Sequence, residues 1–197
     1  MISLTKVGTI GLLLGFAQPA GAADFSDPTW PCIQRKVENL SLGLMWPHPV
    51  PEDTAPNAKL RDLAAALSLR RIGLEDAETR IAALESGDAA TLGQVFTLVF
   101  DQVSRERRDI ITGIGRYSQK QIALAERIDE TRVRMSTLMA AAEPDFDTVD
   151  KLEEQLDWDE RIYRDRAKSL TYVCETPVLL EKRLFALAQI LQKFVSD

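Results

Sequence analysis

Four groups of residues in this chain have side chains able to do chemistry: two cysteines, one histidine, a run of carboxylates and a cluster of arginines. Cys32 and Cys174 lie far apart in sequence, with no Cys-x-x-Cys spacing to mark a redox pair. In an oxidising compartment two such cysteines are most simply one disulfide, and neither is then a resting nucleophile. Two free buried thiols are the alternative, suited to a reducing compartment. His48 stands in Trp46-Pro47-His48-Pro49. Any histidine-based nucleophile system would depend on it alone. With Glu52 and Asp53 nearby it could form a weak surface metal site, but the ordinary reading is a solvated ring in a proline-rich loop. There is no glycine-rich phosphate loop and no His-Glu-x-x-His. The expectation is therefore no enzyme: no catalytic set, no cofactor and no metal.

The carboxylates concentrate between Glu143 and Glu160, where nine acids face one lysine, Lys151. Asp145, Asp147, Asp150, Glu153, Glu154 and Asp157 could meet a basic partner. They could equally be a solvated face, with negative charge favoured at a helix start. Asp145-Phe146-Asp147 followed by Asp150 resembles a calcium loop only superficially, because the glycine and the distant glutamate are missing.

The elements that must position these residues begin with an apolar leader. Lys6 precedes the ten-residue run from Val7 to Phe16, too short to span a bilayer, and Ala20-Gly21-Ala22 supplies small residues for cleavage. Residues 1–22 are read as a signal peptide, cleaved near Ala22, and the rest as periplasmic. Losing only Lys6 moves the net charge from −6 to −7. Such a surface argues against nucleic acid and anionic membranes as partners. No later segment has the length and apolarity to cross a membrane.

Residues 23–56 form a proline-rich segment that also carries Trp30, Ile33, Val37, Leu40, Met45 and Trp46. Prolines bar helix interiors, yet this apolar content is too high for a disordered tail. The expectation is an ordered strap, with one short helix over Ile33 to Leu40. Residues 57–197 read as helical. Leu60, Leu63, Leu67, Arg70, Leu74, Ala77, Ile81 and Leu84 alternate spacings of three and four, predicting one helix with a bend at Gly73 and a stop at Gly87. Asp88 can cap a second helix reaching Ala142, about 80 Å long at 1.5 Å per residue. Pro144 turns the chain, Asp147 is placed as the next cap, and Pro177 is expected to break or kink the third helix.

Short turns make neighbouring helices antiparallel. Folding back at Pro144-Asp145 sets Cys174 opposite Gly115, Arg107 beside Glu181, and Asp159 near Arg127 or Arg134. The expected fold is all-α: a long antiparallel hairpin with a three-helix bundle at one end and an extended strap. The strap would be pinned at a waist by Cys32–Cys174, with Trp30 filling space left by Gly113 and Gly115. A bridge closing a loop on the order of 140 residues stabilises by at most about 5 kcal/mol.

Trp30-Pro31-Cys32-Ile33-Gln34-Arg35-Lys36-Val37 resembles the N-terminal signature of small exported bacterial helical proteins of uncharacterised activity. The resemblance covers these residues and the leader, and implies a periplasmic address and no activity. In outline the hairpin is similar to those of periplasmic adaptors and jaw-like chaperones. It lacks the adaptors' strand-rich domains, and it is acidic where such chaperones are basic. The functional expectation is a non-enzymatic accessory protein of the cell envelope, a helical spacer or scaffold with an envelope protein partner, able to self-associate through its hairpin. The alternative is a holdase-type chaperone or a small-ligand-binding helical protein.

Overall fold

The computed structural model describes residues 27–51 and 55–196. The leader, Glu52 and Asp53 lie outside the described residues. The described chain is all-helical: α1 (Ala58–Ser68), α2 (Leu74–Ala82), α3 (Ala89–Met139) and α4 (Phe146–Lys193), with a single 3-10 turn at Leu42–Leu44 in the strap. At 51 and 48 residues, α3 and α4 run back along each other as the expected hairpin, each more than about 70 Å long.

One end of that hairpin is a bundle. Leu67, Phe96, Leu180, Leu184, Leu187 and Leu191 are fully buried there, together with Trp46 of the strap. Each such side chain contributes about 1.5–3 kcal/mol by leaving water, so this end carries most of the stability. Beyond the waist only one seam is buried: Ile114, Leu124, Ile128 and Val149, with Gln121, Thr131 and Asp159 among them. Isolated from the bundle, one narrow seam would give the far hairpin a lower local stability.

Five local expectations are corrected. No helix forms over Ile33 to Leu40, which is extended and bent; the strap's helical turn comes later, at Leu42–Leu44. The first helix is two helices. Leu69 adopts an extended conformation, and Arg183 of α4 donates to the carbonyls of Leu67 (2.7 Å) and Leu69 (2.9 Å), satisfying groups that the end of α1 leaves open. α2 ends before Gly87, with Glu85 in the left-handed region at φ 56°. Pro177 does not end its helix, and α4 continues to Lys193. The cap of α4 is Asp145 and not Asp147: its carboxylate accepts from the Thr148 amide (3.1 Å) and hydroxyl (2.6 Å). Asp88 caps α3 as expected, accepting from Ala90 and Thr91. In both caps the bonded carboxyl is held below its ordinary value, chiefly by the threonine hydroxyl.

Candidate interaction site at the strap and hairpin

Cys32 and Cys174 are bonded, with their Cα atoms 5.5 Å apart. Around the bridge, Trp30, Ile111 and Ile114 close a small second core separate from the bundle. The Trp30 ring is buried, and its indole N–H donates to the Gln34 carbonyl at 2.7 Å. This folds residues 30–34 into a loop that presents the ring to α3. The Asp27 carboxylate accepts from the Thr29 amide and hydroxyl, which holds its pKa below the ordinary value. Just before the bridge, Ser118 of α3 donates to the Pro28 carbonyl at 2.7 Å.

Further along the strap the same pattern recurs. Arg107 is buried and donates to the carbonyls of Val37 (2.6 Å) and Glu38 (3.3 Å) from α3, and to that of Pro177 (3.3 Å) on α4. Its expected ion partner, Glu181, lies at 3.5 Å. Burial pushes the Arg107 pKa down and Glu181 opposes that shift. Gln192 of α4 donates to the Met45 carbonyl at 2.8 Å. The strap thus lies on α3 and α4 as an extended chain whose carbonyls are met by side-chain donors from both helices. An extended backbone laid down without those donors would bury unpaired carbonyls.

Of the two glycines assigned to strap docking, Gly115 lies against the strap and Gly113 does not. A Cβ on Gly113 would meet nothing nearer than Arg116 Nη2 at 4.0 Å, and one on Gly115 would make only an ordinary contact, 3.7 Å from the Thr29 carbonyl. Trp30 packs on Ile111 and Ile114 instead. The close approach occurs at Gly93, where a Cβ would lie 2.8 Å from Trp46 Nε1 and 2.9 Å from Val50 Cγ2. Trp46 stacks there on Phe96, with centroids 5.7 Å apart, and its other neighbour is the His48 ring at 5.4 Å. The sequence signal was available: a glycine in a helix interior beside the apolar residues Val95, Phe96, Val99 and Phe100, and a second tryptophan in the strap. Arg183 and Ser118 were also missed, since exposed-looking polar residues carry no periodic signal.

No protein-family model, curated protein or solved structure matches this chain.

At the far end of the hairpin, Asp159 is buried and takes Arg127 in a two-bond pair, at 2.9 Å and 2.7 Å. Those bonds raise the Arg127 pKa. Glu160 pairs with Arg132 at 2.7 Å. Asp147, Asp150, Glu153, Glu154 and Asp157 are exposed, and none of them makes an ion pair among the described residues. Asp150, Glu153, Glu154 and Asp157 fall three and four residues apart, which sets them on one face of α4. Among the described residues no three histidine, cysteine or acidic side chains converge as a metal site, and no helix is long and apolar enough to cross a membrane.

Proposed function

We propose that this protein is a non-enzymatic accessory protein of the bacterial cell envelope, a helical scaffold that holds a partner protein along its hairpin. One observation carries the reading: the Cys32–Cys174 bridge and the Arg107 bonds pin an extended strap across the waist of a two-helix rod. This arrangement organises a long contact surface. α3 continues about 36 Å past Gly115 to its end at Met139. The disulfide favours an oxidising compartment, and with the leader read from the sequence this supports export to the periplasm with cleavage near Ala22. Self-association through the same hairpin belongs to this proposal.

A second reading, a holdase-type chaperone, is favoured by apolar side chains left open on the hairpin: Val133, Phe146, Trp158 and Tyr172 are each at least 60 % exposed. Crosslinking in intact cell envelopes, followed by affinity capture of the tagged chain, separates the two. One stoichiometric partner supports the scaffold. Many unfolded clients support the chaperone, and no crosslinked protein at all overturns both.

A further inference from the structure

Below the disulfide the face that carries the strap continues as an open groove between α3 and α4. Two adjoining clefts, of about 460 Å³ and about 310 Å³, share Ala125, Asp129 and Tyr163. The groove begins at Pro31 and Cys174, where the strap crosses the hairpin, and reaches Arg132. From Ser118 to Arg132 this is about 21 Å of helix, the length of roughly six extended residues. Apolar groups line its upper half: Ile122, Ala125, Ala167 and Leu170. Glu126 and Asp129 stand on the rim of the upper half; the lower half also carries Arg132, Glu160 and Arg164, which pair among themselves and with Asp129 (3.0 Å from Arg132), so that Glu126 is the rim acid that makes no ion pair among the described residues.

Gln121 singles this groove out. It lines the upper cleft, is 8 % exposed, and its Nε2 donates to the Tyr163 carbonyl at 3.1 Å. Its Oε1 is buried and has no partner. Buried acceptors are ordinarily paired, so an unpaired one lining a cleft marks where a donor is expected. Above it, the same two helices already bind the strap by side-chain hydrogen bonds to its backbone, through Ser118 and Arg107 near the bridge and Gln192 at the bundle end.

We propose that this groove is a peptide site, which takes an extended segment of a partner protein end to end with the strap. The occupant carries an apolar side chain for the Ile122–Ala125–Leu170 floor and a lysine or arginine beside it for Glu126 and Asp129. Pairing the Gln121 Oε1 with a backbone N–H of the segment requires that side chain to turn toward the cleft when the segment binds. The proposal rests on the scaffold reading above and names the chemistry of the partner.

The test is to pan a phage-displayed library of random seven-residue peptides on the full oxidised protein and to measure the binding of the selected peptides by fluorescence anisotropy. Enrichment of an apolar residue within two positions of a cation is expected. Ala125→Trp, which fills the groove, should weaken binding at least tenfold, and Gln121→Leu should weaken it severalfold. Glu126→Lys with Asp129→Lys should reverse the preference to acidic peptides, which a merely structural role of the two acids would not do. Circular dichroism of each variant checks that the helices persist. Selected peptides without that pattern, or binding unchanged by Ala125→Trp, overturn the proposal. So does binding seen only after deletion of residues 1–26, because the groove then belongs to the chain itself. Failure here is separable from failure of the scaffold reading: envelope capture of one partner equally by the wild type and the Ala125→Trp protein removes the groove and leaves the scaffold.

Discussion

Arg107 Nη1 of α3 lies 2.6 Å from the carbonyl oxygen of Val37, a contact that joins residues seventy positions apart. The guanidinium is almost wholly buried, and it reaches the strap, α3's neighbour α4 and Glu181 together. A lysine has one point of charge where this site uses a fork. Arg107→Met should therefore cost about 2–4 kcal/mol, because three carbonyls and a carboxylate lose their donor. Arg107→Lys should recover less than half of that. Urea denaturation gives the free energies, and hydrogen exchange should show the strap opening before the bundle.

Reduction of the disulfide tests the same attachment from the other side. Cys32→Ser with Cys174→Ser should lower stability by about 2–5 kcal/mol, chiefly by freeing the unfolded chain. The strap retains Arg107, Gln192 and the Trp46 anchor, so proteolysis should cut first near residues 27–36 and leave α3 and α4 helical. Cleavage spread evenly through the helices would contradict this division.

Two glycines of the same helix should respond oppositely to alanine. At Gly93 the new methyl would overlap the Trp46 ring, which stacking on Phe96 keeps from moving aside. Overpacking of this kind costs about 1–3 kcal/mol, more than the helix gains from alanine. At Gly113 there is space, so Gly113→Ala should stabilise by about 0.5–1 kcal/mol. Thermal melts of the two variants decide the matter.

The Arg127–Asp159 pair should also be asymmetric. The Asp159 side chain is 7 % exposed and the Arg127 side chain 54 %. Arg127→Ala strands a buried carboxylate and should cost about 3 kcal/mol at neutral pH. Asp159→Ala leaves an arginine that can turn to water, and should cost about 1 kcal/mol. Equal costs in a double-mutant cycle would show that Asp159 finds another donor.

Acid should weaken the protein through its helix and turn carboxylates. Asp27, Asp88 and Asp145 all have pKa values held below the ordinary 3.8 by threonine hydrogen bonds. A carboxyl with a lower pKa in the folded state stabilises above its unfolded value, and that contribution fades as pH falls through the folded one. Melting temperature should be flat from pH 7 to about pH 5 on this account and fall below about pH 4. Asp88→Ala and Asp145→Ala should each melt lower at pH 7 and lose part of the drop in acid.

The hairpin, the bundle end, the bridge and the ion partners of Arg107 and Asp159 were all legible in the residues. Alternating spacings of three and four place apolar groups on one stripe of a helix, and Pro144 with its acidic neighbours marks the turn. Once two helices fold back, register follows from counting, so Cys174 falls at the height of Ile111 and Ile114. The expected part of Gly113 failed for a related reason: the count fixes height along the rod and not angle around it, and Gly113 does not meet the strap.

Spacing along one chain carries the period of a helix, the place of its turns and the pairing of two lone cysteines, since each depends on near neighbours or on exclusion. Which glycine Trp46 presses against, where Arg183 ends α1 and which acceptor Gln121 leaves unpaired are of another kind. They arise from contacts between residues tens to more than a hundred positions apart, whose distances are set by how four helices and a strap pack together, and no local pattern encodes that packing.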